Sequence, residues 1–182
     1  MRLINIIALM LVLVIVGCSN STEPDPNYDE YYYKLTDLDA KAAIALGNEW
    51  KFSAPKITSH VTTEEVIFKF PDGREVKKPI PAGSVYIAFA PYINNTHTCE
   101  QHYLSSCDGE MKEKTFKVTA ILPDGKPYVS EDIKSLKNGF FELWLPNNRN
   151  MIIKIEYDGK KGEETIPTFP GSRTCITTIQ LK

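Results

Sequence analysis

Apolar and polar residues alternate through most of the second half of the chain, and this pattern constrains the fold more than any other feature. The apolar positions form three runs: Phe116, Val118, Ala120 and Leu122; then Phe141, Leu143 and Leu145; then Met151, Ile153, Ile155 and Tyr157. Side chains two residues apart point to the same face of a strand, so each run predicts a strand with one buried face. Short strands separated by Pro-Asp-Gly and Asp-Gly turns favour a β sandwich.

The first half of the chain predicts a short helix followed by hairpins. Thr36 can cap a helix by accepting a hydrogen bond from a free backbone amide, and Gly47 is suited to end it. The apolar face of this helix is predicted to be Leu38, Ala42 and Leu46. Two further alternating runs predict strands, with apolar positions Val66, Phe68 and Phe70, then Val85, Ile87 and Phe89. The predicted fold class is mainly β with a short N-terminal helix (α+β) and a C-terminal β sandwich whose order of turns and strands resembles the transthyretin-like sandwich.

The N-terminus has the features of an export signal. Arg2 precedes an apolar run, residues 3–16, that is shorter than the roughly 20 residues of a membrane-spanning helix. The run ends in Ile-Val-Gly-Cys, which resembles the lipobox of bacterial lipoproteins and makes Cys18 the predicted lipidation site. Residues 1–17 are then a lipoprotein signal peptide, and the polar residues 18–34 a lipid-attached tether. The alternative is an ordinary cleaved signal followed by a chance cysteine.

Length, charge and the lack of common catalytic motifs limit the number of domains and the classes of function that fit the chain. The 182 residues suit one compact domain or two small ones, and we divide the part after the tether into residues 35–90, with the helix and hairpins, and residues 91–182, with the sandwich. The formal net charge of -2 and the lack of basic residues interleaved with aromatics argue against a nucleic-acid surface. No serine-nucleophile motif, phosphate-binding loop or paired-carboxylate spacing is present in the sequence.

The residue types of a metal site are concentrated in one stretch. His97, Cys99, His102 and Cys107 fall within eleven residues, and Cys175 begins the predicted last strand. Thiolate and imidazole bind soft and borderline transition metals best, and an odd number of cysteines in an exported protein indicates a reactive or metal-binding thiol. The alternative is a Cys99–Cys107 disulfide with Cys175 buried and inert, since closing so short a loop stabilises a protein by about 2.5 kcal/mol. Spacing alone does not decide between the two.

The last strand determines where the third thiol points. If residues 175–181 form one regular strand, Cys175 lies on the same side as Ile179 and Leu181. Because Cys175 is at the start of that strand, its thiol can face the loop that carries Cys99 and Cys107 from the end of the sandwich. A small buried core thiol is the alternative.

Several short sequences between residues 91 and 181 occur in the same order in one known family. They are Pro91-Tyr92, Thr96-His97-Thr98-Cys99, His102, Cys107, Gly109-Glu110, Asn138-Gly139-Phe140, Leu143-Trp144-Leu145-Pro146, Asp158-Gly159-Lys160, Thr174-Cys175-Ile176 and Gln180-Leu181. Together they resemble the CueP family of cell-envelope copper-binding proteins, whereas the first half of the chain is similar only loosely. Thr98 stands where the family pattern has proline, and the lipobox differs from the family's familiar members, which are soluble in the periplasm.

The resemblance implies that Cys99, Cys107 and Cys175 bind copper. Thiolate selects Cu(I), so the two histidines, His97 and His102, are secondary and either catch Cu(II) or hold the loop. The family is implicated in copper resistance, Cu(II) reduction and copper supply to secreted cuproenzymes such as superoxide dismutase. We therefore expect a membrane-anchored, extracytoplasmic copper-binding protein with a copper exporter or a cuproenzyme as partner. If it reduces Cu(II), stoichiometrically or with an outside reductant, Cys99 and Cys107 are the pair expected to oxidise.

Two other functions fit the same residues. One is a disulfide-stabilised β sandwich that serves surface interaction, for which a single free thiol is expected, whereas three free thiols favour a metal site. The other is a zinc-binding protein, since three cysteines and one histidine make a tetrahedral structural site.

Overall fold

A computed structural model describes residues 27–53 and 56–182. Two helices come first, α1 (Tyr28–Thr36) and α2 (Ala40–Trp50). Eleven strands follow within the described residues: β1 (Thr58–Val61), β2 (Glu65–Lys69), β3 (Glu75–Pro79), β4 (Ser84–Phe89), β5 (His102–Tyr103), β6 (Thr115–Ile121), β7 (Pro127–Lys134), β8 (Phe141–Pro146), β9 (Asn150–Tyr157), β10 (Lys160–Pro167) and β11 (Cys175–Ile176). The mainly β fold class with N-terminal helical structure is therefore confirmed.

The strands form three sheets with two apolar cores between them. The first sheet has the order β3-β2-β1-β5, the second β11-β4-β8 and the third β10-β9-β6-β7. Strand β4 alternates between the two cores: Tyr86 and Ala88 pack with the helices and the first sheet, whereas Val85 and Ile87 pack with the third sheet. The second sheet is therefore the middle layer. It combines β4, from predicted segment 35–90, with β8 and β11, from segment 91–182.

The N-terminal helices differ from the prediction in their boundaries. Residues 28–34 of the predicted tether are helical, since they belong to α1, which begins at Tyr28. Leu35 of this helix is fully buried, so the helix packs against the folded part of the chain. The second helix is capped by Asp39 instead of Thr36, since the Asp39 side chain accepts a hydrogen bond from the amide of Ala42 at 2.8 Å. The prediction that Thr36 caps the helix is wrong.

The buried face of α2 is also different from the predicted one. It consists of Ala40, Ala43, Ile44, Gly47 and Trp50. Gly47 lies inside the helix because a Cβ atom there would approach the Leu104 side chain to 2.7 Å, so this glycine allows close packing and does not end the helix. The predicted stop at Gly47 is wrong.

The alternating runs correspond to β2, β4, β6, β8 and β9, as predicted. Strands β7 and β10 have no apolar run because they are the two edges of the third sheet and most of their side chains are exposed or half-buried. Polar edge strands carry little periodic signal, which is why the alternation did not predict them.

The predicted strand from residue 175 to 181 is mostly irregular. Regular pairing in this segment is limited to β11, which runs parallel to β4, and an isolated bridge joins Tyr92 to Gln180. Cys175 packs in the core next to the first sheet, while Ile179 and Leu181 pack in the core next to the third sheet. The prediction that these three residues share a face is wrong, because the alternation is lost once the strand ends at Ile176.

No helix within the described residues is long and apolar enough to cross a membrane. The predicted signal peptide, lipobox and lipidation site at Cys18 lie outside the described residues.

Candidate metal centre

Thr174 joins the two distant parts of the predicted site. Its hydroxyl donates a hydrogen bond to the carbonyl of Val61 at 2.6 Å and accepts one from the amide of His102 at 3.0 Å. The amides of Thr174 and Cys175 both donate to the carbonyl of Glu100, at 3.0 and 3.3 Å. These bonds hold the start of β11 against residues 100–102, so the third cysteine lies beside the cysteine and histidine stretch, as predicted.

Cys99 and Cys175 form a disulfide across a sequence separation of 76. The predicted Cys99–Cys107 disulfide is therefore wrong, and Cys99 and Cys175 replace Cys99 and Cys107 as the pair that we expect to oxidise. The prediction rested on the stabilisation of about 2.5 kcal/mol expected from a disulfide that closes so short a loop. In the folded chain the hydrogen bonds of Thr174 and the pairing of β11 with β4 bring residue 175 next to residue 99.

Cys107 is the free cysteine among the described residues, and its side chain is buried. Its sulfur lies 3.5 Å from the Sγ atom of Cys99 and accepts a hydrogen bond from the amide of Tyr103 at 3.3 Å. Burial raises the pKa of the Cys107 thiol, although the Tyr103 amide and the positive charge of Lys51 oppose this rise. An unbound thiol at this position is thus held in its protonated form.

His102 is fully buried against an aromatic ring. Its imidazole lies 4.6 Å from the ring centre of Phe140, and neither ring nitrogen has a hydrogen-bond partner among the described residues. Burial, with smaller contributions from Lys51 and His97, lowers the pKa of His102 to about 3, so the ring is neutral at physiological pH. A neutral imidazole with an unpartnered nitrogen beside two cysteines has the chemistry of a metal ligand.

The five predicted residues supply two overlapping groups of donor atoms. In the first group the donor atoms of His97, Cys99 and Cys107 lie within 4.8 Å of one another, and in the second the same limit holds for His102, Cys107 and Cys175. Cys107 belongs to both groups. His97 is exposed, whereas His102 and Cys175 are buried, so the donors extend from the surface into the core.

An open cleft of about 640 Å³ leads to these donors. It is lined by His97, Thr98, Cys99, Glu100, Gln101, Tyr103, Ser106, Cys107 and Asp108. Cys99 and Cys107 therefore border the cleft, whereas Cys175 is fully buried and does not line it. His60 lies on β1 with its ring stacked on Tyr103 at 5.1 Å between ring centres, and it belongs to neither donor group.

Lys51 is a neighbour of the site that was not predicted from the sequence. It follows α2 directly, and its ammonium group donates hydrogen bonds to the carbonyl of Cys107 and, at 3.1 Å, to the carboxylate of Asp108. No motif or spacing pointed to it, because it is 56 positions from Cys107 and nothing in its local sequence sets it apart from other lysines.

Two glycines of the family-like sequence pattern, Gly109 and Gly139, lie close together near the site. The amide of Gly109 donates to the carbonyl of Asn138 at 2.6 Å, and a Cβ atom on Gly139 would lie only 2.5 Å from the Gly109 carbonyl oxygen. Gly139 also has a φ angle of +83°, which residues with a side chain rarely adopt. The close approach fixes the segment that carries Cys107 against the loop that carries Phe140, and therefore against His102.

The oxidation state of the cysteines determines what this centre can bind. With the Cys99–Cys175 disulfide formed, one thiol and two imidazoles remain as donors. A single free thiol is also what we expected for the disulfide-stabilised interaction protein. With that bond reduced, three thiols converge at one place. Three thiolates suit Cu(I), whereas imidazole also accepts Cu(II) and zinc.

Comparison with known proteins identifies similar chains. The family model "Periplasmic copper-binding protein CueP" matches residues 45–180. A solved structure described as "Crystal Structure of S.CueP" is 29% identical in sequence, with a TM-score of 0.76, and the match covers 84% of this chain and 94% of that one. No curated protein matches the chain with significant sequence similarity.

Proposed function

The chain belongs to the CueP family of periplasmic copper-binding proteins, and from this membership we propose that it binds Cu(I) through Cys99, Cys107 and Cys175 when all three are reduced. The observation that carries the proposal is the arrangement of the three sulfurs, with Cys107 3.5 Å from one member of the Cys99–Cys175 pair. Thiolate is a soft ligand that selects Cu(I) over harder ions. His102, with its unpartnered nitrogens, is a further donor to the same ion.

The Cys99–Cys175 pair is also the electron source that we propose for reduction of Cu(II). Formation of one disulfide from two thiols releases two electrons and two protons, and each Cu(II) takes up one electron to become Cu(I). One reduced pair therefore converts two Cu(II) ions to Cu(I) and then stops until a thiol reductant restores it. We assign to His97 and Cys107 the role of holding the incoming ion, because both line the cleft and His97 is exposed there.

The periplasmic family supports an extracytoplasmic location, and we further propose attachment to the membrane through lipid on Cys18. The lipobox-like sequence carries this proposal. A tethered protein captures copper close to the membrane instead of carrying it by diffusion. A copper exporter as donor is then a better partner than a distant cuproenzyme such as superoxide dismutase.

Cu(I) titration of the reduced protein tests the ligand assignment. We expect one tightly bound Cu(I) per chain, and we expect Cys175→Ser to weaken binding as severely as Cys99→Ser. The loss in each variant should exceed about a hundredfold, because even outer-shell partners of metal ligands contribute 10–100-fold. The matched control is the same chain with its Cys99–Cys175 disulfide intact, which should bind Cu(I) weakly.

Two results would contradict the proposal. If Cys175→Ser leaves the Cu(I) affinity unchanged, Cys175 is a core residue and not a ligand. If zinc displaces Cu(I) from the reduced protein, the centre is a zinc site with three cysteines and one histidine.

A further inference from the structure

The ammonium group of Lys51 is held against the segment that carries Cys107. Its side chain is only 11% exposed, and it donates hydrogen bonds to the Cys107 carbonyl and, at 3.1 Å, to one carboxylate oxygen of Asp108. A lysine is rarely so deeply buried unless its charge is paired. Water therefore solvates the Lys51 charge only slightly, and neighbouring groups of the protein must balance it.

Asp108 does not fully balance this charge. Its other carboxylate oxygen lies 2.7 Å from the ammonium group of Lys112, so two lysines share one carboxylate. Asp108 and Lys112 are half-exposed, with side-chain exposures of 51% and 49%, and water screens their charges. The cluster has a net charge of +1, and its least exposed member is the lysine that contacts the Cys107 backbone.

The charge of the loaded centre depends on the metal. Three thiols lose three protons to solvent when they bind an ion, so Cu(I) leaves a net charge of −2 and Zn(II) leaves −1. A buried charge is costly unless a charge of opposite sign lies near it. A fixed cation beside the centre stabilises the Cu(I) complex about twice as strongly as the zinc complex, because the Coulomb energy is proportional to the charge.

We propose that Lys51 is a specificity-determining residue of the metal centre, whose positive charge favours Cu(I) over zinc. The inference rests on the three-thiolate site proposed above. It assigns to Lys51 a role that differs from holding the loop in place, since a purely structural contact would affect both metals equally.

The test compares the Cu(I) and Zn(II) dissociation constants of the reduced full-length protein, each measured by competition with a chromogenic chelator. Lys51→Met should weaken Cu(I) binding by about tenfold to a hundredfold and Zn(II) binding by about threefold to tenfold, following the ratio of the charges. Lys51→Arg, which keeps the charge, should restore the preference for Cu(I). Lys112→Met is the matched control, because it removes a lysine from the same carboxylate on the exposed side, and it should leave the ratio of the two constants within about threefold.

Lys51→Gln provides a second variant, because it retains a polar amide donor near the Cys107 carbonyl but carries no charge, and it should lower the preference for Cu(I) as Lys51→Met does. This variant keeps the test decisive if Lys51→Met does not fold. Equal loss of both metals in these variants, or no loss of either, would overturn the role of Lys51. Failure of the wild-type protein to bind Cu(I) would instead overturn the ligand assignment, and this inference with it.

Discussion

The thiol sulfur of Cys107 lies 3.5 Å from the Sγ atom of Cys99, and Cys99 is bonded to Cys175. Cys99 thus forms the disulfide and also contacts the free thiol of Cys107. Reduction of the single Cys99–Cys175 bond changes the centre from one thiol to three without requiring the chain to bring distant segments together. Under the proposed function, the capacity of the centre for Cu(I) therefore depends on whether this disulfide is reduced.

Reduction of Cu(II) should oxidise Cys99 and Cys175 and leave Cys107 free. When excess Cu(II) is added anaerobically to the fully reduced protein, we expect about two Cu(I) per chain, because one disulfide releases two electrons. A chromogenic chelator counts the Cu(I), and mass spectrometry maps the bond.

Cys107→Ser is the informative control for this reaction, since it retains the Cys99 and Cys175 thiols and should still produce Cu(I). Cys99→Ser should produce no more Cu(I) than a variant in which all three cysteines are replaced by serine. A bond between Cys99 and Cys107 in the wild-type product would show that the electrons come from a different pair.

Burial of His102 should make the stability of the protein depend on pH. The pKa of this imidazole is about 3 in the folded chain, against 6.5 without burial, so the unfolded state binds more protons between these values. The stabilising contribution is present above pH 6.5 and is lost as the pH falls toward 3, at about 1.4 kcal/mol per pH unit. Urea unfolding of the metal-free protein between pH 4 and about 7 should show this slope, and His102→Leu should remove it.

His60→Leu is the matched control for His102, because His60 is only half-buried on β1. It should remove a smaller part of the slope. If the free energy of unfolding of His102→Leu depends on pH as steeply as that of the wild type, His102 is not a buried neutral imidazole.

Gly139→Ala should destabilise the protein more than Gly125→Ala. Both glycines have a φ angle of +83°, so each substitution incurs the cost of a left-handed residue, about 1–2 kcal/mol. A Cβ atom at Gly139 would also lie 2.5 Å from the Gly109 carbonyl oxygen, whereas one at Gly125 would meet nothing within 4 Å. Overpacking adds about 1–3 kcal/mol at Gly139 alone. Equal free energies of unfolding for the two variants would mean that the contact between the glycines does not fix the Cys107 segment.

The lipobox-like sequence predicts that the wild-type protein partitions into detergent and that Cys18→Ala accumulates as an uncleaved or mislocalised precursor. Cell fractionation with immunoblotting of the two forms is the measurement. Release of both as soluble mature protein would exclude the lipid anchor.

The strands and the site could be predicted from the sequence to different extents. Alternation predicted β6, β8 and β9 because each has one face in a core, but it could not predict β7 and β10, whose side chains are mostly solvated at the sheet edges. The five predicted site residues lie close together in the structure. The sequence pointed to them because thiols and imidazoles are scarce in this chain and the family resemblance supplied the ligand set.

The pairing of the cysteines could not be predicted from spacing. Loop-closure entropy favours neighbours in sequence, but the actual neighbours are set by hydrogen bonds of Thr174 and by parallel pairing of β11 with β4, which depend on the complete fold. Lys51 was not predicted for the same reason, since only the packing of α2 brings it to Cys107.

X-ray absorption at the copper edge counts the sulfur atoms bound to the ion and so tests the three-cysteine ligand set. The reduced protein is loaded with one equivalent of Cu(I), and the number and type of atoms bound to copper are determined for the wild type and for Cys175→Ser. We expect three sulfur ligands in the wild type and two in the variant. Two sulfurs in both proteins, or a shell of mainly nitrogen and oxygen, would contradict a centre in which Cys99, Cys107 and Cys175 together hold the ion.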